Sequence, residues 1–296
     1  KQEGFQNLFY FRGDQEVMGN IETLFKIANK SPITEKNQVK FGNVNKWSPA
    51  DIYLATDIAR SQISKEIQKA KPKTYSFIDL NILTSNLIDS GDLLPLSLKK
   101  TTKDVQLQKV NFNQKSEIKA LEKVSLSPKR VTNWQPYKKV PFGTKGETRD
   151  MRAFLNNGGE IKFRHDPSAK RFVAEFIGGG AEARGGSIGS IKLFCELFAF
   201  VDPITSKKVL KEYQEGEIQY FIDLKLIENL RAEDKKLFDH ERGAISAMNI
   251  INRIMPILKD WFSKTDKKKV DDFIRIIYQY ITSRTPLSGK FVIAKG

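Results

Sequence analysis

Cysteine and histidine are scarce in this sequence, and their scarcity excludes two kinds of stabilising site. Cys195 is the only cysteine among 296 residues, so the chain cannot form an intrachain disulfide. His165 and His240 are the only histidines, and one thiol with two imidazoles cannot complete a zinc site of four nitrogen and sulfur ligands. Any metal would have to be held by carboxylates, which favours Mg²⁺. Cys195 lies in an apolar run and is expected to be a buried thiol rather than a nucleophile.

Long hydrophobic runs are missing as well. No apolar stretch is long enough to cross a bilayer, and residues 1–20 lack the pattern of a signal peptide. We therefore expect a chain that has no membrane partner, is not exported by a signal peptide, and forms in a reducing compartment.

Positive charge is abundant by contrast. Fifty Lys and Arg residues against 35 Asp and Glu residues give a net charge of +15. A hydrophobic fraction of 40% with 10% aromatic residues is typical of a folded globular protein. Such a charge favours a polyanionic partner, and nucleic acid is the one expected first.

The hydrophobic pattern predicts helices and strands mixed along the chain. Residues 113–150 are rich in lysine and carry three prolines without clear periodicity, so they are expected to form a basic surface connection. The domain organisation predicted is a core over 1–112, this connection, and a region over 151–296 that either stands alone or completes the same domain. Helices are predicted at 14–29, 57–71, 74–91, 188–200 and over most of 205–282, strands at 50–56, 93–100 and 104–112, a β-hairpin at 159–180, and a last edge strand at 289–296.

Two short segments carry the chemistry: WSPADIYLA at 47–55 and LLPLSLKK at 93–100. Mg²⁺-dependent cleavage of a phosphodiester needs carboxylates that hold the ion and gains from a cation near the scissile phosphate. On a strand, residues i and i+2 lie on one face, so an acid and a lysine two residues apart point into the same cleft.

In these segments the chain resembles the PD-(D/E)xK nuclease superfamily, and in particular divergent members found in tailed phages. The resemblance covers about residues 14–112 and implies an α/β (α+β) fold with a restriction-endonuclease-like mixed sheet flanked by helices. The helical periodicity over 205–282 adds a largely helical C-terminal region. The resemblance also implies a phage-associated DNA-processing enzyme, a Mg²⁺- or Mn²⁺-dependent endonuclease or exonuclease. Asp51 would be the metal ligand, Ser97 would occupy the second acid position, Lys99 would be the catalytic lysine, and Glu22 would be an additional ligand.

Ser97 departs from the pattern of this superfamily, because a neutral hydroxyl is a poor Mg²⁺ ligand beside a carboxylate. Either Glu22 or Asp57 substitutes for the missing acid, or the fold is kept without cleavage. The alternative function is therefore a non-catalytic DNA-binding protein or a structural virion protein, with other phage proteins as partners. The expected location is the host cytoplasm or the virion.

Each of these residues also has a simpler interpretation. Asp51 can start a strand or cap a turn, Lys99 and Lys100 can be solvated charges at a strand end, and Glu22 can be an exposed acid on a helix.

A second basic cluster surrounds the predicted hairpin and the glycine-rich loop that follows it. Glycines let backbone N–H groups approach phosphate, and arginines supply paired donors to its oxygens. A hairpin and loop that need no ligand are the alternative. A third candidate, the segment 127–145, interleaves basic residues with Trp134, Tyr137 and Phe142, which could stack on single-stranded bases. The candidate DNA-binding residues are Lys100, Arg164, Lys170, Arg171, Arg184, Gly185 and Gly186.

Overall fold

The computed structural model of the protein describes most of the chain and divides it into two compact units. The first comprises residues 1–121 and 283–296, and the second comprises residues 122–282. The predicted organisation left open whether 151–296 stands alone or completes the first domain, and the structure groups residues 283–296 with the first unit. The described residues are 15–31, 41–99, 105–113, 119–132, 134–136, 150–166, 171–178, 186–228 and 242–295.

The helices of the first unit begin and end where local signals require. Helix α3 starts after Thr56, whose hydroxyl accepts the N–H of Ala59, and α4 starts with a capping box between Ser76 and Asp79. Helix α4 is followed by Gly91, whose φ of 79° is left-handed and available to glycine at little cost. The helices are α1 (Gln15–Lys30), α2 (Val44–Trp47), α3 (Asp57–Lys69) and α4 (Phe77–Asp89).

Four strands form the mixed sheet of the first unit: β1 (Ile52–Ala55), β2 (Leu93–Leu98), β3 (Gln106–Val110) and β9 (Phe291–Lys295). Their order is β1-β2-β9-β3, with β1 antiparallel to β2, β9 parallel to β2, and β3 antiparallel to β9. The prediction of an edge strand at the end of the chain is wrong, because β9 lies inside the sheet. It lies between β2 and β3.

Helices and aromatic rings build the core of the first unit around this sheet. Helices α1 and α3 contact β1, and α4 contacts β2. The rings of Phe25, Phe41, Trp47 and Phe77 pack together, with the Phe41 and Phe77 centroids 4.9 Å apart. Asn111 holds the segment before β9 in place. Its side-chain amide donates to the carbonyl oxygens of Ser283 and Gly289 at 3.0 and 2.8 Å.

An antiparallel sheet of five strands, in the order β4-β5-β6-β7-β8, forms the second unit together with its helices. The predicted hairpin is confirmed as β6 and β7, paired from Glu160 opposite Ile177 to Asp166 opposite Arg171. Strand β4 lies within the segment expected to be a connection, at an edge of the sheet, where a strand can contain a proline such as Pro128. The strands are β4 (Leu126–Val131), β5 (Met151–Leu155), β6 (Glu160–Asp166), β7 (Arg171–Ile177) and β8 (Ser187–Ile188).

Helices account for most of the second unit after residue 190, as the periodicity predicted. Gly216 of α6 lies so close to the π-helical segment Ala247–Ile251 that an added Cβ would be 2.5 Å from the carbonyl oxygen of Asn249. In the described residues, no helix combines the length and apolar character needed to cross a membrane. The helices are α5 (Ile191–Ala199), α6 (Pro203–Glu228), α7 (Asn252–Lys264) and α8 (Lys267–Ile281).

Candidate functional site

Asp51 and Ser97 lie opposite one another where β1 begins and β2 ends. The register pairs Ile52 with Leu96, so the preceding Asp51 falls opposite Ser97. The Asp51 N–H donates to the Leu96 carbonyl oxygen at 2.7 Å, which continues the strand pairing by one residue. The two segments singled out in the sequence are therefore joined in one sheet.

The Asp51 carboxylate closes the end of this strand pair. Its Oδ2 atom accepts the backbone N–H of Leu98 at 2.6 Å and the Ser97 hydroxyl at 3.3 Å. Asp51 is exposed, whereas only 1% of Ser97 is accessible to solvent. The carboxylate therefore has a structural role. It accepts the Leu98 N–H, for which β1 offers no carbonyl oxygen.

Lys99 follows Ser97 by two residues and is exposed. Strand β2 ends at Leu98, so Lys99 follows directly after the strand. Its backbone N–H donates to the carbonyl oxygen of Ala294 on β9 at 2.9 Å, which fixes its position along the sheet. In the described part of the chain its ammonium group forms no ion pair with Asp51, so its charge is available to solvent or to a ligand.

Glu22, the expected additional ligand, is engaged elsewhere. It forms an ion pair with Lys26, one turn along α1, at 2.9 Å. No hydrogen bond or ion pair among the described residues joins Glu22 to Asp51. Across those residues, no three Asp, Glu, His or Cys side chains come together as metal ligands. One carboxylate beside one buried hydroxyl does not fit Mg²⁺, which prefers several anionic oxygens.

Lys46 has a perturbed pKa that no sequence pattern indicates. It lies on the short helix α2, five residues before Asp51. Burial without a compensating charge lowers the pKa of Lys46 to about 8. Most of this lysine is still protonated near pH 7, with a minor neutral fraction. Only its tertiary environment carries this signal, since the sequence shows one lysine among many.

The basic hairpin of the second unit is largely neutralised by its own carboxylates. Arg164 on β6 forms an ion pair with Glu175 on β7 at 2.7 Å. The Arg171 guanidinium lies over Gly189, where a Cβ would come within 2.8 Å of it. Gly186 is exposed, and its carbonyl oxygen accepts the Phe176 N–H at 3.3 Å. Of these three candidates for DNA contact, Arg164 has its charge compensated inside the sheet.

Further ion pairs continue this compensation across the same sheet face. Glu160 pairs with Lys162 at 3.4 Å and with Arg152 on the neighbouring strand at 3.7 Å. Burial raises the pKa of Asp150, against the opposing charges of Arg164, Lys162 and Arg152. Among the described residues of the hairpin and its neighbouring strand, this face therefore carries charges of both signs that pair with one another.

The remaining candidates differ in what the structure says of them. Trp134 is buried, so its ring is not available to stack on a base. Lys100, Lys170, Arg184, Gly185, Tyr137 and Phe142 lie outside the described residues.

Known proteins offer no direct guide to this site. No protein-family model, no curated protein and no solved structure matches this chain.

Proposed function

We propose that this chain is a phage-associated DNA-binding protein in which a nuclease-like core is retained without cleavage. In this proposal, the first unit has the restriction-endonuclease-like topology that the sequence resemblance implies. Its sheet binds DNA through positive charge instead of through a metal ion. The phage setting and the choice of DNA come from the sequence resemblance and the charge.

The observation that carries this proposal is the pairing of Asp51 with Ser97. A nuclease of the resembled kind needs a second carboxylate where Ser97 stands, and this hydroxyl is buried and donates to Asp51. Since Asp51 also accepts the Leu98 N–H, its Oδ2 atom is already used by the protein itself. This arrangement favours a carboxylate that hydrogen-bonds the end of the β1–β2 pair over one that holds a metal ion.

Positive charge supports DNA as the partner. The net charge of +15 exceeds what a small domain needs for solubility and attracts a polyanion over a distance set by the salt concentration. Lys99 follows Ser97 by two residues, is exposed, and has no carboxylate partner in the described residues. Its ammonium group is therefore the first candidate for a phosphate contact in this unit.

A Mg²⁺-dependent nuclease is the second candidate function, and one observation favours it. Both recorded hydrogen bonds to the Asp51 carboxylate use Oδ2, so Oδ1 accepts none from the described residues. Lys99 follows Ser97 by two residues, which is the spacing that the resemblance requires. A structural virion protein whose basic surface faces the genome or other phage proteins shares the binding property of the first candidate.

Binding is tested by fluorescence anisotropy with labelled DNA over a series of salt concentrations. We expect the wild-type affinity to fall steeply with salt, and Lys99→Glu to weaken it about tenfold while reducing the log–log salt slope by about one. Lys123→Glu in the second unit makes the same charge change at another exposed lysine and serves as the matched control. Equal losses for the two variants would contradict a specific role of Lys99, and an affinity that salt does not change would contradict the proposal.

Cleavage is tested separately with supercoiled plasmid in Mg²⁺ and in Mn²⁺. We expect no nicking above a chelator control. Nicking that Asp51→Asn and Lys99→Ala both abolish, with DNA affinity retained, would replace the first candidate function with the second.

A further inference from the structure

Four exposed lysines lie together where α3 ends and the chain turns toward α4. Lys65 and Lys69 are about one helical turn apart on α3, and Lys71 and Lys73 flank Pro72 in the connection that follows. All four belong to the first unit. We call these four residues the lysine cluster.

The positive charge of the lysine cluster is not compensated by the protein. In the part of the chain that the structure describes, none of the four ammonium groups forms an ion pair. Glu66 is the only acid of residues 58–74. Arg60, the remaining cation of this stretch, is paired with Asp57 at 3.1 Å. Four lysines against one carboxylate therefore leave three positive charges on this surface.

The spacing of the lysines works against the stability of α3. Like charges at positions i and i+4 of a helix repel each other, and Lys65 and Lys69 form such a pair. Only Lys69 gains from the helix dipole, since it lies in the last turn of α3. A bound polyanion relieves this repulsion, because each phosphate attracts the ammonium groups that otherwise repel one another.

The backbone presents two of the lysines from an ordered turn. The Lys71 carbonyl oxygen accepts the N–H groups of Thr74 and Tyr75 at 3.0 and 2.9 Å. Pro72 fixes one backbone dihedral within the turn, and Tyr75, which is 5% exposed, anchors its end in the core. The backbone around Lys71 and Lys73 is therefore already ordered, which lowers the entropy lost when these side chains contact a partner.

The aromatic residues of this segment indicate which part of a nucleic acid the cluster can contact. Tyr75 and Phe77 are the only aromatic residues of 57–77, and both are buried. The cluster therefore offers ammonium groups to phosphates but no ring on which a base could stack. A duplex carries one phosphate charge per about 1.7 Å of its axis, whereas a single strand carries one per about 3.4 Å. A purely cationic surface consequently favours the duplex.

We infer that the lysine cluster binds the phosphate backbone of duplex DNA without reading its bases. The inference rests on the proposed DNA-binding function and adds a surface and the form of DNA that this surface prefers. The carrying observation is the uncompensated charge of four neighbouring exposed lysines. Lys99 is a separate contact of the same unit.

The experiment measures the affinity of the full chain for a labelled duplex of mixed sequence over a series of salt concentrations. The double variant Lys71→Gln with Lys73→Gln is expected to weaken binding about tenfold and to lower the log–log salt slope by about two. Unlabelled duplex is expected to compete better than a single strand of the same sequence. Because both side chains are exposed, the thermal unfolding midpoint of the variant should match the wild type.

A matched control comes from the second unit. Lys192→Gln with Lys225→Gln removes two exposed lysines from α5 and α6, so the loss of net charge is the same, and its affinity should stay close to that of the wild type. Equal affinities of the two double variants would overturn the role of the lysine cluster and leave the proposed function standing. A single strand that competes better than the duplex also overturns the inference. A wild type that binds no DNA, whatever other polyanion it holds, overturns both proposals.

Discussion

Asp51 and Ser97 face each other across the β1–β2 pair, and the Ser97 hydroxyl donates to the Asp51 carboxylate over 3.3 Å. A metal-dependent nuclease of the resembled kind would have a second acid at position 97. Here that position is a serine, and its hydroxyl donates to the first acid, Asp51. A carboxylate placed there would face Asp51 with like charge and with almost no access to water.

Ser97→Asp should turn the pair formed by positions 51 and 97 into a metal site. Without metal, the buried second carboxylate is expected to lower the free energy of unfolding by about 3 kcal/mol. Mn²⁺ bound between the two carboxylates should restore about 2.7 kcal/mol at a hundred times its dissociation constant. Urea unfolding with MnCl₂ and with EDTA measures both effects.

Ser97→Asn provides the neutral control for that experiment, since it changes the size of the side chain without adding charge. Its stability should not respond to Mn²⁺. A Ser97→Asp variant that is equally stable with and without Mn²⁺ would show that the carboxylates at positions 51 and 97 cannot share an ion.

Asn111 holds the end of the chain in the first unit, and this gives a second prediction. Its φ of 65° is left-handed, and its amide donates to two carbonyl oxygens on the segment before β9. Asn111→Asp keeps the shape but turns both donors into acceptors, so it should cost about 3 kcal/mol and expose β9 to hydrogen exchange.

Asn111→Gly separates the two contributions at this position. Glycine adopts the left-handed conformation freely but loses the hydrogen bonds, so its cost should be smaller than that of Asn111→Asp. Normal protection of the β9 amides in Asn111→Asp would contradict the assigned role of this side chain.

Local patterns in the sequence were enough to predict α1, α3, α4, β1, β2 and the β6–β7 hairpin. Each is specified by residues close together in the chain, such as the Ser76 cap, Gly91 and the alternation of 160–166. The place of β9 was not predictable in this way. Its partners on β2 and β3 are about 200 residues away, and its pairing depends on distant contacts such as those of Asn111.

The candidate site shows the same division. Asp51 and Ser97 lie on two segments that the sequence predicted as strands, and the register of β1 with β2 sets them opposite each other. The sequence could not show that Glu175 neutralises Arg164, since that depends on the hairpin register. It also could not show the burial of Lys46, because burial depends on tertiary packing.

Gly216 and Gly19 make a matched pair for a third prediction. Alanine is favoured over glycine inside a helix by about 1 kcal/mol. Gly19 of α1 has open space where a Cβ would lie, so Gly19→Ala should raise the free energy of unfolding by that amount. At Gly216 the Cβ would meet backbone atoms of Asn249 and Ile250 at 2.5 and 3.0 Å.

Backbone atoms of the π-helical segment cannot rotate away as a side chain can. Gly216→Ala is therefore expected to lower the free energy of unfolding by about 2 kcal/mol in spite of its better helix propensity. Urea unfolding of both variants checks the pair. A Gly216→Ala variant as stable as the wild type would mean that α6 and the π-helical segment do not require this close approach.

His165 predicts how stability depends on pH. It is 4% exposed, its Nε2 lies 3.1 Å from the Ser246 Oγ, and burial lowers the pKa of this imidazole to about 4, slightly opposed by Asp166. Between the unfolded pKa of about 6.5 and the folded value, the unfolded chain binds a proton that the folded chain does not. Neutral His165 therefore contributes its full stabilisation of the folded state above pH 6.5. This stabilisation is lost as the pH falls toward 4, by about 3 kcal/mol in total.

His165→Gln has no proton to gain, so its free energy of unfolding should fall less than that of the wild type between pH 7 and pH 4.5. Urea unfolding across this range measures the difference, and parallel curves for the two proteins would show that His165 is protonated in the folded state.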